Sequence, residues 1–180
     1  MSDISPGESL HYALIDTPLD SLLLAASSVG ICALFFGTDR TYLVDDLQKR
    51  FPKAQLIEDR PRLHKWLVAL QDYLQQTAAL PELPLDMRGT PFQQRVWHAL
   101  QEIPMGETRR YAELASQLDS HARAVASACA RNPVSLLVPC HRVIGANQQL
   151  TGYRWGLERK AWLLAFEQGL NNATKPLDIS

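Results

Sequence analysis

The first half of the chain alternates between short apolar runs and apolar positions at helical spacing. Residues 12–15 form one run, closed by Thr17-Pro18. Residues 22–26 and 31–36 form two more of strand length, separated by Ser27, Ser28 and Gly30. The whole stretch 21–38 is uncharged and approaches membrane-spanning length. Its polar centre makes two strands joined by a tight turn the better reading. Tyr42, Leu43, Leu47 and Phe51 then recur at helical spacing until Pro52, and residues 55–57 read as a further short strand. Leu63, Trp66, Leu67, Leu70, Tyr73 and Leu74 mark an amphipathic helix with Pro61 near its start. The pattern predicts a small α/β unit ordered strand, strand, strand, helix, strand, helix. No motif in it carries chemistry.

Residues 77–89 contain Pro81, Pro84 and Gly89, the composition of an inter-domain linker. Beyond it the spacing is mostly helical. Thr90 suits an N-cap and Pro91 the first helical position, with Phe92, Val96, Trp97 and Leu100 on one face. Pro104 and Gly106 end that helix. Residues 111–118 and 122–131 predict two short helices with a turn at Asp119-Ser120, a helix-turn-helix arrangement. The second is rich in small residues: Ala122, Ala124, Ala126, Ser127, Ala128 and Ala130. Residues 135–138 are apolar and expected to be buried. Residues 157–167 predict a last helix with Trp162, Leu163 and Phe166 inward. The expected architecture is an α/β N-terminal domain (a small sheet with helices, 1–85), then a mostly α-helical, winged-helix-like domain with a helix-turn-helix (86–170). Residues 171–180 read as a flexible tail, and residues 1–9 as the other disordered end.

A length of 180 residues allows one medium domain or two small ones. The formal net charge of -1 by itself points to no polyanionic partner. Its distribution is uneven. Residues 1–87 hold 7 Lys/Arg against 12 Asp/Glu, and residues 88–160 hold 10 against 5. A basic second half is the footprint of a nucleic-acid-facing domain, although charge varies along any sequence. The three cysteines, Cys32, Cys129 and Cys140, are odd in number and have no C-x-x-C spacing. They read as reduced thiols of a cytoplasmic protein. Asp3 and Glu8 stand where a secretory leader has basic residues, so neither secretion nor a membrane is expected.

The informative stretch is residues 136–145, where Cys140 follows an apolar run and Pro139 and is followed by His141 and Arg142. A free thiol titrates near about 8.5, and neighbouring basic or cationic groups favour its nucleophilic thiolate. An isolated Cys-His pair is more often inert and buried, the reading also given to Cys32 and Cys129. Further segments decide the matter. Pro139-Cys140-His141-Arg142-Val143 resembles the active-site signature of the O6-alkylguanine-DNA alkyltransferases. Arg123-Ala124-Val125 and Asn132-Pro133 precede it at that family's spacing. Gly152-Tyr153-Arg154-Trp155-Gly156-Leu157 and residues 160–164 follow it. Thr90-Pro91-Phe92-Gln93, Val96-Trp97 and residues 103–107 resemble the opening helix and turn. The resemblance is specific over residues 88–167 and general over 1–87.

The resemblance implies direct, stoichiometric DNA repair: an alkyl group passes from O6 of guanine to Cys140, with O4-alkylthymine left open as a second substrate. It implies no cofactor, a monomer, and double-stranded DNA bound through the minor groove with the damaged base flipped out. By the same resemblance His141 relays the thiol proton through a water and Glu167 orients the imidazole. Asn132 holds the active-site turn, and the Tyr111 hydroxyl meets the base. Tyr153, Val143 and Arg154 lie against the guanine, the last two through their backbones. Arg123 enters the base stack, with Ala122 and Ala124 beside it on the DNA-facing helix. Read without the resemblance, Glu167 is a surface carboxylate, Asn132 a helix cap, Tyr111 a half-buried packing residue, and the alanines helix-packing positions.

The interval from Tyr111 to Arg123 is shorter than the family's, which trims the helix-turn-helix. Some members hold zinc in the first domain, but Cys32, His11 and His64 lack ligand-like spacing, so no metal is expected. Two other function classes compete. A cysteine hydrolase draws its histidine from a distant segment, whereas here it is adjacent. A DNA-binding sensor without chemistry would lack the acceptor thiol, and Cys140 is present.

Overall fold

The computed structural model describes residues 7–171. The expectations for residues 1–6 and 172–180 lie outside the described residues. Strand β1 (Ser9–Thr17) turns through Asp20, at φ 84°, into β2 (Asp20–Ala26), and a Ser27–Gly30 turn leads to β3 (Ile31–Gly37). Helix α1 (Arg40–Arg50) is capped by Asp39, β4 (Gln55–Glu58) follows, and α2 (Arg60–Leu74) is capped by Asp59. The sheet order is β3-β2-β1-β4, antiparallel except for the parallel β1–β4 pair. The uncharged stretch 21–38 is therefore a hairpin. No described helix is long and apolar enough to cross a membrane.

Strand β1 begins three residues before its apolar run because Ser9 to His11 gain partners on β4, in register Ser9↔Gln55 to His11↔Ile57. Every residue of β3 is buried. Although β3 ends the sheet, its outer edge is covered by residues 84–86 and 133–135, so it is buried throughout and reads as a continuous apolar run.

The Pro-rich segment 77–89 is extended but fastened. Ile31 donates to the Pro84 carbonyl at 2.8 Å and accepts from the Asp86 amide at 2.8 Å. A Cβ at Gly30 would stand 2.7 Å from the Pro84 oxygen, so glycine is required there. Arg88 pairs with both Glu8 and Asp86 at 2.7 Å. Further along the same edge, Leu34 donates to the Pro133 carbonyl and accepts from the Ser135 amide. Strand β3 thus carries hydrogen bonds to both the connecting segment and the segment leading to Cys140.

The second half packs α3 (Pro91–Gln101), α4 (Tyr111–Gln117) and α5 (Ala122–Ala130), then a 3-10 turn (Cys140–Arg142) and α6 (Leu157–Asn171). Short strands β5 (Arg109–Arg110) and β6 (Val143–Ile144) pair in parallel. The Thr90–Gln93 capping box starts α3 as its residues predict. Trp97 ties α3 to α5 by donating from Nε1 to the Ala128 carbonyl at 2.9 Å. Asp119, at φ 53°, makes the tight turn between α4 and α5. Leu163 and Phe166 of α6 are buried. Trp162 is half-buried and stacks on Phe166 with centroids 5.1 Å apart.

Candidate active site

The chain leaves α5 at Arg131 and reaches Cys140 through a turn built on Asn132, which is fully buried. Its Oδ1 accepts from the Val134 amide at 2.9 Å, and its Nδ2 donates to the Val138 carbonyl at 2.9 Å. One side chain thus braces both ends of a loop that contains Leu136 at φ 59°, a conformation costing about 1–2 kcal/mol for a residue with a Cβ. The helix C-cap is Arg131, so Asn132 holds the turn rather than capping α5.

Cys140 opens the 3-10 turn and is 4% exposed. Burial pushes its thiol up to about 11, against the hydrogen bond with Asn132 and the positive charges of Lys160 and Arg154. The thiol is therefore protonated near neutrality, and a nearby base is needed to make the nucleophile.

The next residue in the chain, His141, has the chemistry of a base. His141 is buried, and burial holds its imidazole below the usual 6.5, so the ring is neutral at pH 7. Its Nε2 lies 2.9 Å from Glu167 Oε1. A carboxylate there accepts the Nε2–H and leaves Nδ1 as the lone-pair nitrogen. Among the described residues that buried Nδ1 has no hydrogen-bond partner. Glu167 is itself 1% exposed, not a surface carboxylate. Burial acts to raise its pKa, but hydrogen bonds from His141 and Arg142 outweigh that and hold it below the usual range. Arg142 Nε donates to both Glu167 oxygens at 3.1 and 3.0 Å, its Nη2 also donates to Oε2, and its Nη1 to the Ile103 carbonyl at 2.7 Å.

This differs from the reading in which His141 and Arg142 favour the thiolate as cations. Arg142 is turned onto Glu167 and His141 is neutral. The cations acting on Cys140 are Lys160 and Arg154. Lys160 is fully buried on α6 and donates from Nζ to the carbonyls of Val143 (2.5 Å), Thr151 (3.1 Å) and Gly152 (3.1 Å). Sequence reasoning quoted this residue without assigning it a role. Helical phase was the available signal, since Lys160 precedes inward-facing Leu163 by three residues and Glu167 by seven.

Cys140 faces a cleft of about 510 Å³, within the range of small-molecule sites. Tyr111, Ala122, Arg123, Tyr153 and Arg154 line it as expected, together with Ala126 and Cys129, which were not singled out for the site. Arg123 is exposed at its lip. The Tyr111 hydroxyl donates to the Thr151 carbonyl at 3.0 Å, and burial raises its pKa. The Tyr153 ring packs edge-on to His141 at 6.4 Å. Val143 and Ala124 lie outside the lining. Val143 is buried, with its carbonyl taken by Lys160. The small residues of α5 divide between two uses: Ala128 packs in the core, while Ala122, Ala126 and Ala130 border the cleft.

Two family models match the chain: "6-O-methylguanine DNA methyltransferase, ribonuclease-like domain" over residues 10–87, and the DNA binding domain of the same family over 91–169. A methylated-DNA–protein-cysteine methyltransferase of Mycolicibacterium paratuberculosis is 41% identical over 162 residues, covering 88% of this chain and 93% of that one. The chain belongs to the 6-O-methylguanine DNA methyltransferase family. The bifunctional transcriptional activator/DNA repair enzyme Ada of Escherichia coli is 44% identical over 165 residues, or 89% of this chain and 47% of that protein. The chain thus spans about half the length of the first curated relatives it matches. A Mycobacterium tuberculosis OGT structure in complex with DNA superposes with a TM-score of 0.74 at 40% identity, covering 88% of this chain and 93% of that one. The site brings together a buried thiol, a neutral imidazole whose Nδ1 has no partner among the described residues, a carboxylate behind it, and an open cleft in front.

Proposed function

We propose that this chain repairs duplex DNA by moving an alkyl group from guanine O6 to Cys140, once per molecule. In this reading the Cys140 proton passes to His141 Nδ1 through a bridging water. The thiolate sulfur then forms a bond to the alkyl carbon as the O6–carbon bond breaks, and the departing guanine takes up a proton. No step regenerates the thiol. The observation that carries the reading is Cys140 in the wall of a base-sized cleft, with a neutral His141 and Glu167 behind it. A base inside a duplex cannot enter such a cleft, so the damaged nucleotide is flipped out. The small residues of α5 permit close approach to the minor groove, and Arg123 stands where a wedge replaces the extruded base. The site is built within one chain, so a monomer suffices. Residues 1–85 are read as the structural domain and 86–170 as the reacting one. The three free thiols fit a reducing, cytoplasmic setting. The test is intact-mass spectrometry after incubation with an O6-methylguanine duplex. One methyl group per chain, with no further turnover, is expected. Catalytic turnover, or no adduct, would refute the proposal.

Arg123 offers a separate check. Its loss removes a wedge as well as a charge, so Arg123→Ala should slow repair of the duplex by about 10- to 100-fold, the range of a lost binding hot spot. Reaction with free O6-methylguanine, which needs no extrusion, should change little. Arg123→Lys should rescue little, because an ammonium does not fill the gap as a planar guanidinium does. Equal slowing on base and duplex would place Arg123 in the chemical site instead.

A further inference from the structure

The segment 151–156 forms one wall of the cleft and is held from two sides. On its own domain, Lys160 and Tyr111 bond the carbonyls of Thr151 and Gly152. On the other side the first domain holds it. Arg154 Nη2 stands 3.4 Å from Asp46 Oδ2 on α1, and its guanidinium lies over the Phe35 ring of β3 at 4.7 Å. Arg159, at the start of α6, pairs with Asp20 at 3.0 Å and donates to the Trp155 carbonyl at 2.6 Å. Gly152 and Gly156, at φ 63° and 98°, hold the left-handed backbone conformations in this segment that favour glycine. Arg50, one turn beyond Asp46 on α1, is near enough to feel the Arg154 charge. Without Asp46, Arg154 would face a like charge.

We propose that Asp46 is a positioning residue for alkyl transfer: its pair with Arg154 sets the cleft wall against the reacting thiol. The first domain, which carries no chemistry of its own, then shapes the site of the second. The inference rests on the alkyl-transfer reading of Cys140. Asp46 touches no substrate and acts through Arg154 alone.

Asp46→Asn keeps the shape and removes the charge. Its single-turnover rate should fall about three- to five-fold, the scale of one partly exposed ion pair, on both free O6-methylguanine and a saturating O6-methylguanine duplex. Affinity for unmodified duplex should be unchanged, because Asp46 lies off the basic half. Asp46→Glu should recover most of the rate. Salt supplies a readout that a purely structural role would not move. The free base is uncharged, so any salt effect on its reaction arises within the protein. Raising NaCl from about 50 to about 500 mM should slow the wild type by a similar factor and leave Asp46→Asn flat. A wild-type rate for Asp46→Asn on both substrates, or a loss that tracks only a lowered unfolding midpoint with no salt effect in the wild type, would overturn the inference. A wild-type protein that takes up no methyl group would overturn both this and the alkyl-transfer reading.

Discussion

Glu167→Ala is expected to destabilise the protein by about 3–5 kcal/mol, because it leaves the Arg142 guanidinium buried without its counter-charge. Arg142 is 5% exposed and keeps only the Ile103 carbonyl among its described partners. Transfer should also slow by about 10²- to 10⁴-fold, the range for losing a positioned acid–base group, since nothing would then hold the His141 tautomer with Nδ1 free. His141→Ala should lose as much, and the double variant little more, because the two act as one unit. Glu167→Gln separates the effects: it keeps the packing and removes the charge, so its stability loss should be smaller. The pH dependence has a definite sign. The folded His141 pKa lies below the ordinary 6.5, so the unfolded chain binds the extra proton first and stability falls as pH drops below 6.5. The folded Glu167 pKa lies below 4.5, so its contribution is present above 4.5 and is lost as pH falls through the folded value. Urea midpoints should decline in acid for the wild type, and below pH 4.5, where the Glu167 contribution is lost, less steeply for Glu167→Ala. Wild-type stability in the alanine variant, or fully additive rate losses, would dissolve the network.

The parts of this molecule that were legible in the chain are those set by local chemistry. The β2–β3 hairpin follows from two apolar runs around Ser27 to Gly30. The start of α3 follows from Thr90, Pro91 and Gln93. What could not be read depends on partners distant in sequence. The length of β1 is set by β4, some forty residues later. The fastening of residues 84–86 is set by β3. Arg142 sits beside Cys140 in sequence, but its charge is spent on Glu167, 25 residues away. Proximity along the chain therefore misassigned the cation, and the cations that act with the Asn132 hydrogen bond against the rise of the thiol pKa come from α6 and the segment before it. The family resemblance found Glu167, and helical phase would have found Lys160. Neither signal reaches Asp46, which meets Arg154 only because α1 packs across β3.

Cys140→Ala is expected to abolish alkyl transfer entirely while leaving DNA binding intact, and the other two thiols show why no substitute exists. Cys32 lies on β3, 1% exposed, with burial pushing its thiol up to about 12. It lies within the hydrophobic core. Cys129 is the stronger competitor, because it lines the same cleft as Cys140. Burial raises its pKa further than that of Cys140, with the neighbouring Cys140 adding to the rise and only Lys160 opposing it. The Asn132 bond that favours a thiolate at Cys140 has no counterpart at Cys129. Two thiols in one cleft thus differ in how readily each ionises, and the attack requires a thiolate. The exchange to alanine removes a single sulfur from a buried site, costing about 1 kcal/mol of stability, so the variant should fold and its affinity for an O6-methylguanine duplex should match the wild type. Peptide mapping of the methylated wild type should place the group on Cys140 alone. Methylation of Cys129 in the wild type, or residual transfer by Cys140→Ala, would move the acceptor to Cys129 and leave His141 and Glu167 without their proposed work.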